Sequence, residues 1–194
     1  MNMNKIKKRI LLVLSMVLLV TVSVVSTYAF LSSKDSVTNT FSVGKVAITL
    51  DETKVDEYGN VVTPTSRVKA NSYKLIPGHT YTKDPVVHFL KDSEASYLFV
   101  KVENGLADIE DGTTIASQIE ANGWTSLGTA YPGIYYKLVS GTTVDVDYKV
   151  FESFQVADDA DVSGYSSATI TITAYAIQAD GFDNAIAAYN EVSK

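Results

Sequence analysis

The 194-residue chain has no cysteine, four prolines, one tryptophan and two histidines. Without cysteine there can be no disulfide framework, no thiol nucleophile and no zinc–thiolate centre. His79 and His88 belong to no HExxH pattern, and a catalytic zinc wants three protein ligands, so each reads as a turn or strand residue. Positive charge is also scarce. Lys5, Lys7, Lys8 and Arg9 supply four of the 16 basic groups, so without residues 1–29 the balance is 12 basic against 22 acidic, about −10 with histidine neutral. That acidity argues against nucleic acid or an anionic membrane surface as a partner. No internal repeat or low-complexity segment stands out.

What is present begins with the basic cluster just named, followed by the uncharged run Ile10 to Val25 and the small-residue exit Thr27-Tyr28-Ala29. These are the three parts of a secretory signal peptide, with cleavage expected after Ala29. The alternative is an uncleaved anchor, since the uncharged stretch extends to Leu31 and about 20 residues span a bilayer. In either case the positive cluster stays cytoplasmic and the bulk of the chain lies outside the membrane. The expected mature chain, residues 30–194, is the size of one domain with one core.

Strand patterns dominate that chain. Val46–Leu50 and Tyr97–Glu103 alternate, the latter with Leu98, Val100 and Val102 on one face. In "ATITITAYAI", Ile170, Ile172, Ala174 and Ala176 face one way and Thr171, Thr173 and Tyr175 the other. Val86–Leu90, Ile134–Val139 and Val144–Val150 are further candidates. Period-two segments separated by turns such as Pro77-Gly78, Asn104-Gly105 and Pro132-Gly133 predict an antiparallel β-sandwich of jelly-roll or Ig-like type. Two helices interrupt it. Thr114–Ala121 is a short mid-chain helix stopped by Asn122-Gly123. The tail places Ala185, Ala188, Tyr189 and Val192 on one stripe, a C-terminal helix to be laid against the sheet. Asp51–Ala70 is polar without clear periodicity and reads as an exposed loop.

Catalytic patterns are nearly missing. Gly164-Tyr165-Ser166-Ser167-Ala168 faintly resembles a nucleophile elbow, but it precedes a strand and no histidine follows it. Asp158, Asp159 and Asp161 are weak calcium candidates; they lack EF-hand spacing and read first as a solvated loop. Tyr135, Tyr136, Tyr148, Phe151 and Phe154 fit core or cross-strand positions better than a ligand groove.

Segments in order along the chain resemble the TasA/camelysin family of secreted proteins of Gram-positive bacteria. They are the Thr27-Tyr28-Ala29 exit, the polar "FLSSKDSVTNT", Phe41-Ser42-Val43-Gly44 with the strand Lys45–Leu50, and "KLIPGHTYTKDPVVHFLKDSEASYLFVKVENG". The block "NGWTSLGTAYPGIYYKLVSGTTVDVDYKVFESFQV" and the ending "ITITAYAIQADGFDNAIAAY" complete the likeness. The resemblance implies a jelly-roll sandwich, processing by a SipW-type signal peptidase, and a homopolymeric biofilm-matrix or cell-surface fibre, with an accessory matrix protein as a further partner. It also implies assembly through an N-terminal arm, residues 30–44, inserted as a strand into the next subunit, with Phe30, Leu31, Val37, Phe41 and Val43 as anchors. The rival expectation for the arm is that it forms the first strand of its own sandwich. Two other functions stay open: a camelysin-like surface metalloprotease, and a monomeric surface binding module. No cofactor is expected.

Overall fold

Alternating apolar residues lay most of the chain out as antiparallel strands in the computed structural model, which describes residues 4, 6–18 and 44–194. The chain divides into two units, Met1–Ser42 and Val43–Lys194. In the first, residues 6–18 are helical (α1) with exposed apolar side chains such as Leu11 and Leu14. Among the described residues no helix is long and apolar enough to cross a membrane.

The second unit contains three antiparallel sheets. The first has the order β2-β1-β4-β9: β1 is Ile48–Thr53, β2 Arg67–Val68, β4 Val86–Phe89 and β9 Val146–Lys149. The second joins β3 (Thr80–Thr82), β10 (Ser153–Val156) and β6 (Glu110–Asp111), in that order. The third runs β11-β5-β8-β7: β11 is Ile170–Gln178, β5 Ser96–Asn104, β8 Ile134–Val139 and β7 Thr125–Ser126.

One core lies between these sheets. Tyr81, Val87, Phe89, Leu98, Val100, Phe154 and Val156 meet there with Ile115 and Ile119 of α2 (Ile115–Ala121). The reverse face of the third sheet carries Phe99 and Ile134, and α3 (Ala185–Val192) covers them with Ala185, Ala188 and Tyr189. The period-two rule explains the division: in β5, Leu98 and Val100 point into the first core and Phe99 into the second. Both later helices are capped as their sequences suggest. The Thr114 hydroxyl accepts from the Ser117 N–H (3.2 Å), and the Asn184 side chain from the Ala187 N–H (3.0 Å).

Asp51–Ala70 is not the exposed loop that its polarity suggests. Asp51–Thr53 complete β1, Arg67–Val68 form β2, and Glu52, Thr53, Val55 and Gly59 are buried. Gly59 has φ +77°, and an added Cβ would sit 2.8 Å from the Tyr81 Cα. A side chain there would meet backbone in a conformation that favours glycine. Gly59→Ala should therefore cost about 1 kcal/mol or more and lower the melting temperature by at least about 2–4 °C for a domain of this size, measured by circular dichroism.

Candidate binding groove

β1 and β11 leave a gap between them. On one side β1 pairs with β4 through Ile48–Asp51, while on the other β2 reaches only Glu52 and Thr53. β11 pairs with β5 along all nine residues, Ile170 to Gln178, and among the described residues no strand lies against its other side. Both edges border one groove of about 1160 Å³, with Ile48, Leu50, Ile170, Ile172 and Ala174 half-buried along it. Small-molecule sites occupy roughly 300–1,000 Å³. Open strand edges are ordinarily blunted by charge, proline or a bulge. β11 has no charged residue and no proline.

Polar groups line the groove beside β1. Lys83 Nζ donates to Glu52 Oε2 (2.6 Å), and both side chains are buried. Asn71 Nδ2 donates to Glu52 Oε1 (3.0 Å) and to the Thr53 carbonyl (2.8 Å), while Asn71 Oδ1 accepts from the Val55 N–H (3.0 Å). The Tyr73 hydroxyl donates to the Thr82 carbonyl (3.1 Å). Burial, reinforced by the Glu52 charge, pushes the Tyr73 phenol well above its ordinary pKa.

Across the first sheet runs a charge network. His88 bonds Asp147 through Nδ1 (2.6 Å) and Asp51 through Nε2 (2.9 Å). Arg67 donates to Asp51 (2.6 Å) and Asp84 (3.2 Å). Burial disfavours a charged His88, but the two carboxylates outweigh it and hold its pKa above the usual 6.5. The folded state therefore binds this proton more tightly than the unfolded chain. The resulting stability is complete below pH 6.5 and lost as pH rises through the folded value. Urea unfolding on both sides of that window should show wild type losing stability relative to His88→Gln as pH increases.

The expected cleavage residue Ala29 and the expected arm anchors Phe30, Leu31, Val37, Phe41 and Val43 lie outside the described residues. The chain that follows them is tied down: the Lys45 carbonyl accepts from Glu94 N–H (2.9 Å) and the Ala47 carbonyl from Leu90 N–H (2.9 Å). Asp158, Asp159 and Asp161 are exposed, and Asp161 caps a short 3₁₀ turn through the Ser163 N–H (2.9 Å). His79 Nε2 bonds the Tyr58 carbonyl (2.8 Å), far in role from a metal ligand set. Among the described residues no three His, Cys, Asp or Glu side chains converge to hold a metal ion. Phe151 and Phe154 are buried, Tyr135 and Tyr148 pack half-buried on the first core, and Tyr136 packs on the second.

Glu52, Asn71, Lys83 and the open edge of β11 were not apparent as functional features in the sequence. One signal was available. Glu52 stands two residues beyond Leu50 and four beyond Ile48, so alternation turns it toward the same face, and Lys83 is related to buried Tyr81 in the same way. Comparison with family models, curated proteins and solved structures finds no match for this chain.

Proposed function

We propose that the chain is an exported structural subunit that polymerises by strand addition, the residue 30–44 arm of one copy entering the β1–β11 groove of the next. The groove with two facing strand edges carries this reading. An added strand gains main-chain hydrogen bonds from an edge and lodges alternate side chains in apolar pockets. β11 extends about 30 Å over its nine residues at roughly 3.3 Å each, and the fifteen arm residues suffice to run beside it. Residues 45–47 are bonded to Glu94 and Leu90, which fixes the base from which the arm starts. A contact between two different surfaces of one subunit repeats without closing, which yields a filament.

In this reading the fold is a jelly-roll sandwich short of one strand, in support of which the first and third sheets face a shared core. Signal-peptide removal at Ala29 by a SipW-type peptidase frees the arm and switches assembly on, outside the cell, in a matrix or surface fibre. An accessory matrix protein would nucleate or anchor it. The test is electron microscopy and light scattering of purified Phe30–Lys194 beside Gly44–Lys194. Filaments from the first and monomers from the second are expected. If both stay monomeric, the arm belongs to its own subunit and a surface binding module becomes the better reading.

A further inference from the structure

The groove's polar lining holds an amine, a carboxylate and a carboxamide in one place. Lys83 and Glu52 are 7% and 4% exposed, and Asn71 shares the same carboxylate from its other oxygen. Aromatic rings wall the site: Lys83 Nζ lies 5.9 Å from the Tyr73 ring centre, and Tyr73 stands edge-on to Tyr81 and Phe154. A buried ion pair is by itself a weak source of stability, because desolvating both charges offsets their attraction. The third member gives the arrangement a chemical use. A nucleophilic amine, an electrophilic carboxamide and a carboxyl that shuttles protons are the parts from which an amide forms. The Val55 N–H already points at Asn71 Oδ1, where negative charge would gather in a tetrahedral intermediate.

We infer that Lys83 and Asn71 become joined by an intramolecular amide bond, with Glu52 as the proton shuttle. A proton moves from the Lys83 ammonium to the Glu52 carboxylate along their hydrogen bond and leaves a neutral amine. Its lone pair attacks Asn71 Cγ; the Nζ–Cγ bond forms and charge builds on Oδ1. Glu52 passes its proton to Nδ2 and takes one from Nζ, the Cγ–Nδ2 bond breaks, and ammonia departs. Amine plus carboxamide become secondary amide plus ammonia, with no oxidant, metal or nucleotide consumed. The bond closes a ring around the Pro77-Gly78 turn and braces an exported chain that has no cysteine for a disulfide. It does not depend on what enters the groove.

The full chain, purified, denatured and weighed by mass spectrometry, should be lighter than the composition from its observed N terminus by about 17 Da, one ammonia. Trypsin should release Ala70–Lys74 joined to Leu75–Lys91, because linked Lys83 resists cleavage. Lys83→Arg and Glu52→Gln should restore the composition mass and free Ala70–Lys74. A wild-type chain at full mass overturns the proposal. So does an ammonia loss without the branched peptide, the outcome expected of a succinimide at Asn71. The wild-type peptide map decides the bond even if a variant fails to fold, and a folded Glu52→Gln that still yields the branched peptide removes Glu52 from its role.

Discussion

Ile172→Asp should remain monomeric under conditions in which the parent Phe30–Lys194 forms filaments. Ile172 sits mid-way along β11, opposite Val102 of β5, and is half-buried beside the groove. In a free subunit the carboxylate can turn toward the open groove, so the expected loss of stability is modest, about 1–2 kcal/mol for the apolar contact removed. Beneath a docked arm the same carboxylate would be sealed off without a partner, at an effective penalty of several kcal/mol. Each 1.4 kcal/mol is about tenfold in affinity, so elongation should fall by roughly a thousandfold or more. Val144→Asp, at an exposed position that does not line the groove, is the control and should elongate normally. Light scattering and sedimentation measure assembly while thermal melts check the fold. Parent-like filaments from Ile172→Asp would place docking elsewhere, even if the arm itself proves necessary.

Replacing Tyr81 should produce the largest loss of folding stability. Tyr81 is fully buried, stacked on Phe154 at 4.8 Å and edge-on to Tyr73 at 5.6 Å. Its hydroxyl donates to the Lys74 carbonyl (2.6 Å) and accepts from the Ile76 N–H (2.8 Å), fastening the segment before the Pro77-Gly78 turn. Tyr81→Ala removes ring and hydroxyl together, a cost of about 3–5 kcal/mol from the cavity alone. Against a usual total of about 5–15 kcal/mol, this leaves a marginal domain. Tyr81→Phe keeps the ring but strands two backbone groups, for about 1–3 kcal/mol. Urea titrations of both variants separate packing from hydrogen bonding. Equal losses would assign the whole effect to the hydroxyl.

Elements with sustained alternation are legible in the sequence itself. The segment Ile134–Val139 coincides with β8, and Tyr97–Glu103 and the ATITITAYAI segment fall within one or two positions of β5 and β11, because these two alternate over seven or more residues. The helices were equally clear from Ile115 and Ile119 and from the Ala185–Val192 stripe. Strands β2, β3, β6, β7 and β10 were not foreseen. They are two to four residues long, too short for a period to register, and β10 owes its place to partners far away in the chain. Asp51–Ala70 misled for a related reason: Glu52 is inside only because Lys83, from another sheet's border, neutralises it. The alternation in β11 told of a wet face and a dry one, but not that one edge would have no neighbouring strand among the described residues. That absence depends on where β1 and β11 come to lie in space.

The ladder that holds β11 has a mechanical meaning. Nine consecutive pairs bind it to β5, and six more bind β5 to β8, with Leu98 and Val100 of β5 fixed in the main core. A pull along β11 therefore loads its hydrogen bonds in shear, all together, where a pull across it would open them singly from one end. Just beyond the strand, α3 grips Phe99 on the reverse face. Tension entering at this edge is delivered to β5, a strand paired on both sides and packed on both faces, so the force is spread over the whole third sheet before any one bond carries it.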